Sequence, residues 1–264
     1  MIEVTRGNSP VVLGLPHTGT DLPADARDRL NRRGRDLADT DWHIHKLYSD
    51  LLGGVTAVRT SVHRYVVDVN RPPDGESLYP GQNTTGLCPV TDFDGAPIYA
   101  PGAEPDAAEI KRRIAEYHAP YHAALSTELD RVRRLHGVAI LYDCHSIRSA
   151  IPYLFTGPLP DFNIGTNSST SCAHTVEKTV DEICRSAAPY SSVLNGRFKG
   201  GWTTRHYGRP DAGIHAVQME LAQCTYMQES PPWTYLPDKA ERVRTVLSKI
   251  IRSLNDLVET GALT

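Results

Sequence analysis

Two hydrophobic periods run through this chain. Short apolar runs at 11–15, 55–62, 65–69, 138–142 and 216–221, rich in Val, Ile or Leu and bounded by turn or polar residues, predict buried strands. Segments 3–6 and 193–198 add two shorter strand candidates. Helical spacing appears at 41–52, through Trp42, His45, Leu47, Leu51 and Leu52, and stops at Gly53-Gly54. Segments 24–35 and 171–187 are also compatible with helix. The longest helical stretch, 105–136, opens on Pro-Asp and closes at Gly137, with Pro120 inside it predicting a split or kink. A terminal helix over 238–259 places Val243, Val246, Leu247, Ile250, Leu254 and Leu257 at helical spacing. Strands alternating with helices predict an α/β fold on a mainly parallel or mixed sheet. No repeat and no linker divides the chain, so a single domain over 1–264 is expected.

One segment breaks the pattern. Residues 72–103 hold six prolines and five glycines in 32 residues, too many for regular structure. Loops of that length inside a domain are usually functional or mobile.

Composition narrows the function more than the fold. The 264 residues carry 28 Lys+Arg and 31 Asp+Glu, a net charge of −3 with no long basic run, which argues against nucleic acid or an anionic membrane as partner. No apolar run approaches the ~20 residues of a membrane helix. The opening hexapeptide lacks a basic-then-apolar signal pattern, and a cytoplasmic location is expected. Five scattered cysteines without a C-x-x-C pair point to a reducing compartment and to no thiolate metal cluster. Any metal must therefore be held by histidine and carboxylate. Oligomeric state is not encoded in these features.

Ligands of open α/β sheets sit beyond the carboxyl ends of strands. The residues just past the predicted strands include His17, then Asn70-Arg71, then Asp143-Cys144-His145, with Glu220 near the end of the last strand. Two neutral imidazoles and a carboxylate are the donors of a catalytic zinc that keeps a position open for water. His17 and His145 are the candidates, although a lone histidine is more often a surface or hydrogen-bonded core residue. Asp143, two residues before His145, is placed to orient that imidazole, or else to cap a strand end. Glu220 interrupts an apolar run, which is costly unless it is paired, functional or on a solvent-facing edge. It suits a general base. Asn70-Arg71 suits an anionic group, or a salt bridge that pins the proline-rich loop. Neither a phosphate loop nor a G-x-S-x-G elbow is present. Cys144 points away from His145 on a strand, which makes a thiol nucleophile a poor fit.

The motifs Pro16-His17-Thr18-Gly19-Thr20-Asp21, Asp39-Thr40-Asp41-Trp42, Val67-Asp68-Val69-Asn70-Arg71-Pro72, Asp143-Cys144-His145-Ser146, Gly196-Arg197-Phe198-Lys199-Gly200-Gly201, Thr204-Arg205-His206-Tyr207-Gly208 and Gln218-Met219-Glu220 occur in that order. Together they make the chain resemble the N-formylglutamate amidohydrolases (N-formylglutamate deformylases) of histidine breakdown, over nearly its whole length. The resemblance implies a zinc carboxypeptidase-like α/β fold, a three-layer sandwich with helices on both faces of a mixed sheet. It also implies one divalent metal ion, zinc being expected, and hydrolysis of N-formyl-L-glutamate to formate and L-glutamate as the last step of histidine degradation. His17 and His145 then map onto the metal imidazoles. Asp41 is taken as the carboxylate ligand, with Asp21 its rival. Glu220 maps onto the catalytic carboxylate, and Arg64 assists at the oxyanion. Asn70, Arg71, Arg205 and His206, supported by Lys199, are the expected contacts of a small acidic substrate. A related deacylase of another N-acyl acidic amino acid is the alternative.

Overall fold

The computed structural model describes residues 1–78 and 80–263. Tyr79, inside the proline-rich segment, and Thr264 lie outside the described residues. Among the described residues seven strands form one mixed sheet: β1 (Ile2–Thr5), β2 (Val11–Leu15), β3 (Thr56–Thr60), β4 (Ala139–Ile147), β5 (Phe162–Gly165), β6 (Ser192–Leu194) and β7 (Ile214–Ala222). Their spatial order is β1-β3-β2-β4-β7-β5-β6. The central pairs β3/β2, β2/β4 and β4/β7 are parallel, whereas β1/β3 and β5/β7 are antiparallel.

Period-2 alternation divides the core between the two faces of the sheet. Val11, Leu13, Ile140, Tyr142, Cys144, Val217 and Met219 pack on one side. There they meet α3 (Ile44–Tyr48), α6 (His174–Arg185) and the long terminal helix α8 (Pro237–Glu259). Val12, Ala139, Leu141, Ile214 and Ala216 face the other side and meet α5 (Ala119–His136) through Tyr121, Leu125, Leu129 and Val132. Helices on both faces complete the expected three-layer α/β arrangement. Three shorter helices, α1 (Ala24–Arg29), α2 (Arg32–Arg35) and α4 (Ala107–Arg113), lie in the connections. Among the described residues no helix is long and apolar enough to cross a membrane.

Several expected elements take a different form. The apolar run 65–69 is fully buried yet is no strand, because helix side chains, not a neighbouring strand, satisfy the carbonyls of Val66 and Val69. Within 41–52 only Ile44–Tyr48 is α-helical. Pro120 leaves the long helix continuous: a π-turn over Ile114–His118 precedes it, with the Ala119 amide bonded back to Ile114 O. The polar loop 199–208 contains a further helix, α7 (Trp202–Tyr207). Finally, β4 runs five residues beyond the expected Tyr142, so that Asp143 and His145 lie inside a fully buried strand.

Candidate metal centre and cleft

Register brings the chemistry together. The parallel pairing of β4 with β7 sets His145 beside Glu220 and Asp143 beside Gln218. All four have the strand parity of Leu141 and Ala216, so they occupy the α5 face, toward the carboxyl ends of these strands. Cys144 packs in the core on the opposite face, as its parity requires. Gly14 of β2 pairs with Asp143, and His17 follows three residues later.

His17, Asp41 and His145 are each 2% or less exposed, and one donor atom from each lies within 4.8 Å of the others. The two Nδ1 atoms are 3.2 Å apart, and they stand 3.8 and 3.3 Å from Asp41 Oδ2. Their Nε2 atoms are engaged elsewhere. That of His17 is hydrogen-bonded to Asp68 Oδ1 at 2.6 Å, and that of His145 is 3.1 Å from both Asp143 Oδ1 and Asn70 Nδ2. A carboxylate on the far nitrogen fixes each tautomer and leaves the Nδ1 lone pairs converging on Asp41. Asp41 Oδ1 is buried without a hydrogen-bond partner among the described residues. Two converging imidazole nitrogens and the carboxylate oxygen they face, Asp41 Oδ2, fit a divalent cation.

The surrounding charges act on the two imidazoles in opposite directions. Asp41 and Asp68 flank Arg64, which reaches Asp68 Oδ2 at 2.6 Å and Asp41 Oδ1 at 3.5 Å. Burial alone would raise the Asp68 carboxyl, but Arg64, His17 and Arg71 outweigh it and hold it well below the usual carboxylate range. At His145, burial is overcome by Asp143 and Asp41, which pull the imidazole toward its charged form. His17, buried and near Arg64, is shifted the other way. Burial pushes Glu220 up to about 8, against the pull of His145. Its carboxylate accepts a hydrogen bond from Gln218 Nε2 at 2.9 Å, while Gln218 Oε1 takes the Gly201 amide at 2.6 Å.

A cleft of about 570 Å³, partly open to solvent, is lined by His17, His145, Glu220 and Arg64 together with Asn70, Arg71, Arg197 and Phe93. Asn70 links the centre to α7: its Oδ1 accepts the Thr203 amide at 2.8 Å. Gly201 permits this approach, since a Cβ there would overlap the Asn70 side chain. Arg71 is steadied by Thr85 O at 2.9 Å and Thr84 Oγ1 at 3.1 Å, and Arg197 by Asn83 O at 3.1 Å. Residues of the proline-rich segment thus line the cleft. Phe93, pinned through its amide to Asp39, lies under the Arg64 guanidinium at 4.8 Å.

Other expected residues stand apart. Asp21 is exposed and bridges to Val62. Arg205 bonds the Gly200 and Leu78 carbonyls, and His206 is exposed and stacks on Trp202 at 4.4 Å; neither lines the cleft. Lys199 is exposed as well. Arg197 and Phe93 have no individual signal in the sequence beyond membership of a motif or of the proline-rich segment, whereas Asp68 interrupts the apolar run 65–69 as Glu220 interrupts its own.

A model of the N-formylglutamate amidohydrolase family matches residues 9–227. The chain belongs to this family. N-formylglutamate deformylases of Pseudomonas aeruginosa and Pseudomonas putida are each 47% identical, over 256 and 257 residues. Each alignment covers 96% of this chain, with 96% and 95% of the respective relative. The crystal structure of an N-formylglutamate amidohydrolase from Ralstonia eutropha JMP134 shares the fold, with a TM-score of 0.84 at 24% identity, over 98% of this chain and 99% of that one.

Proposed function

We propose that this chain, acting as one catalytic domain, hydrolyses N-formyl-L-glutamate to formate and L-glutamate at a single divalent metal ion, zinc by the donor set. His17, Asp41 and His145 would hold the ion. The observation that carries this reading is the convergence of two Nδ1 atoms and Asp41 within 4.8 Å, in a cleft also lined by Glu220 and three arginines. When bound, the ion supplies Lewis acidity that polarises the formyl carbonyl and acidifies the attacking water.

The chain's own residues do the rest. In its ionised form Glu220, buried beside His145 and Asn163 of the neighbouring strands, takes a proton from the water and returns it to the leaving amine. Gln218 fixes one of its oxygens for that exchange. Arg64, locked between Asp68 and Asp41, presents fixed positive charge beside the developing oxyanion. The substrate has two carboxylates, and Arg71 and Arg197 are the anchors for them. Phe93 and Ile147 also line the cleft, and such apolar bulk favours formyl over a larger acyl group. A cytoplasmic site of action accords with five free cysteines. The family resemblance supports a role for the reaction at the end of histidine degradation.

Formate release from N-formylglutamate, measured with metal content and set against N-acetylglutamate, tests this reading. Turnover of the formyl compound with one equivalent of metal is expected. No formate from metal-replete protein would overturn it, and preference for the acetyl compound would favour the broader deacylase.

A further inference from the structure

Segment 66–71 carries Asp68, Asn70 and Arg71, yet among the described residues no strand pairs with it. The helical stretch from α4 to α5 holds it instead. Arg113 Nη1 donates to Val66 O at 2.9 Å, His122 Nε2 to Val69 O at 2.7 Å, and His118 Nε2 to Arg71 O at 2.9 Å. A carbonyl only accepts, so both imidazoles carry their proton on Nε2. The π-turn sets the spacing: its extra residue turns the following helix by ~100°. The three donors consequently fall at intervals of five and then four residues along the helix.

The same imidazoles seat α7. Their rings lie 4.5 Å apart, and Trp202 covers them at 5.3 and 4.5 Å. His122 Nδ1 is 3.1 Å from the Tyr207 hydroxyl. Thr203, on this helix, fixes Asn70, whose amide nitrogen meets His145. Burial keeps both histidines neutral, assisted at His122 by neighbouring His118. A neutral donor grips these carbonyls without adding a cation that would compete with Arg71 for an anion.

We propose that His118 and His122 are positioning residues, which fix the backbone of 69–71 and so set Asn70 against His145 and Arg71 in the cleft. Their effect on turnover rests on the hydrolase reading above; their effect on the backbone does not.

Leucine at either position removes the donor, and His118→Gln or His122→Gln restores an N–H. Two readouts are needed: hydrogen exchange of peptides covering 66–71 and 202–204, and KM against kcat for formate release. The leucine variants should exchange faster in both peptides and raise KM by about tenfold or more, with a smaller change in kcat. The glutamine variants should recover most of both. Should His122→Leu not fold, His118→Leu carries the same test. Folded leucine variants with wild-type exchange and KM, or glutamine variants as impaired as the leucine ones, would overturn the proposal. If wild-type protein releases no formate, the hydrolase reading falls. Exchange then decides alone: faster exchange with leucine and recovered protection with glutamine supports the clamp, and unchanged exchange sinks it.

Discussion

Asp68 grips His17 from behind: its Oδ1 lies 2.6 Å from Nε2, which turns Nδ1 of that ring toward Asp41 and His145. Arg64 holds the other Asp68 oxygen at 2.6 Å. A ligand imidazole oriented by a carboxylate is more basic and loses less freedom on binding. Asp68→Ala should therefore weaken metal binding by about 10- to 100-fold, and Asp68→Asn by less. Chelator competition on the purified protein measures this. Unchanged affinity in Asp68→Ala would show that packing alone orients His17.

Glu220→Gln keeps the size of the side chain and removes its ability to accept a proton. The glutamine amide can still bond Gln218, so the local structure should persist. Loss of a general base lowers kcat by about 10²- to 10⁴-fold. Metal content should stay at one equivalent. Near-normal turnover in the metal-replete variant would remove Glu220 from the mechanism.

How far the sequence reached can be seen residue by residue. His17, His145 and Glu220 stand near strand ends, where the α/β rule looks, and parallel register then sets the latter two side by side. Choosing Asp41 over Asp21 required the family resemblance, since Asp21, four residues after His17, has the regular spacing and Asp41, 24 residues away, has none. Asp68 interrupts an apolar run, but that run reads as strand. What makes 66–71 irregular is a set of bonds to residues more than forty positions away, which no local pattern records. The sequence points to Arg205 and not to Arg197 for a related reason. Both are cations in polar segments, and only the path of the loop decides which one lines the cleft.

In the proposed reaction Arg197, which lines the cleft, anchors one of the two substrate carboxylates. A charge-assisted bond is worth about 1.5–3 kcal/mol, or roughly 10- to 100-fold in binding. Arg197→Gln should raise KM for N-formylglutamate by that factor and leave kcat within a few-fold. Discrimination against N-formylglutamine should shrink in parallel. Retained discrimination would assign the second carboxylate to another group.

Phe93 lines the cleft and lies against Arg64. Replacing it by alanine opens space near the reacting centre. A methylene-sized difference in an apolar pocket is worth about 1–3 kcal/mol. Phe93→Ala should therefore raise kcat/KM for N-acetylglutamate relative to N-formylglutamate by about tenfold. An unchanged ratio would show that acyl size is read elsewhere.

His122 gives the protein a predictable weakness to acid. Burial, with His118 and then His206 adding to it, pushes its imidazole down from the ordinary 6.5 to about 3. Tyr207 and Trp202 of α7 face the ring from the other side, and Val69 O accepts its Nε2 proton. Above pH 6.5 the imidazole is neutral in both folded and unfolded chains, so its stabilising contribution is fully present. As pH falls below that value the unfolded chain takes up a proton that the folded one refuses. Stability should then drop by about 1.4 kcal/mol per pH unit from this group, continuing until the folded imidazole itself titrates. His122→Gln keeps an N–H for Val69 O and cannot titrate. Urea unfolding at pH 7 and pH 5 should show the stability difference between the two pH values reduced by up to about 2 kcal/mol in the variant. His118 shifts in the same direction and should leave a smaller residual slope. Equal losses in wild type and variant would mean that the His122 imidazole is protonated as readily in the folded protein as in the unfolded chain.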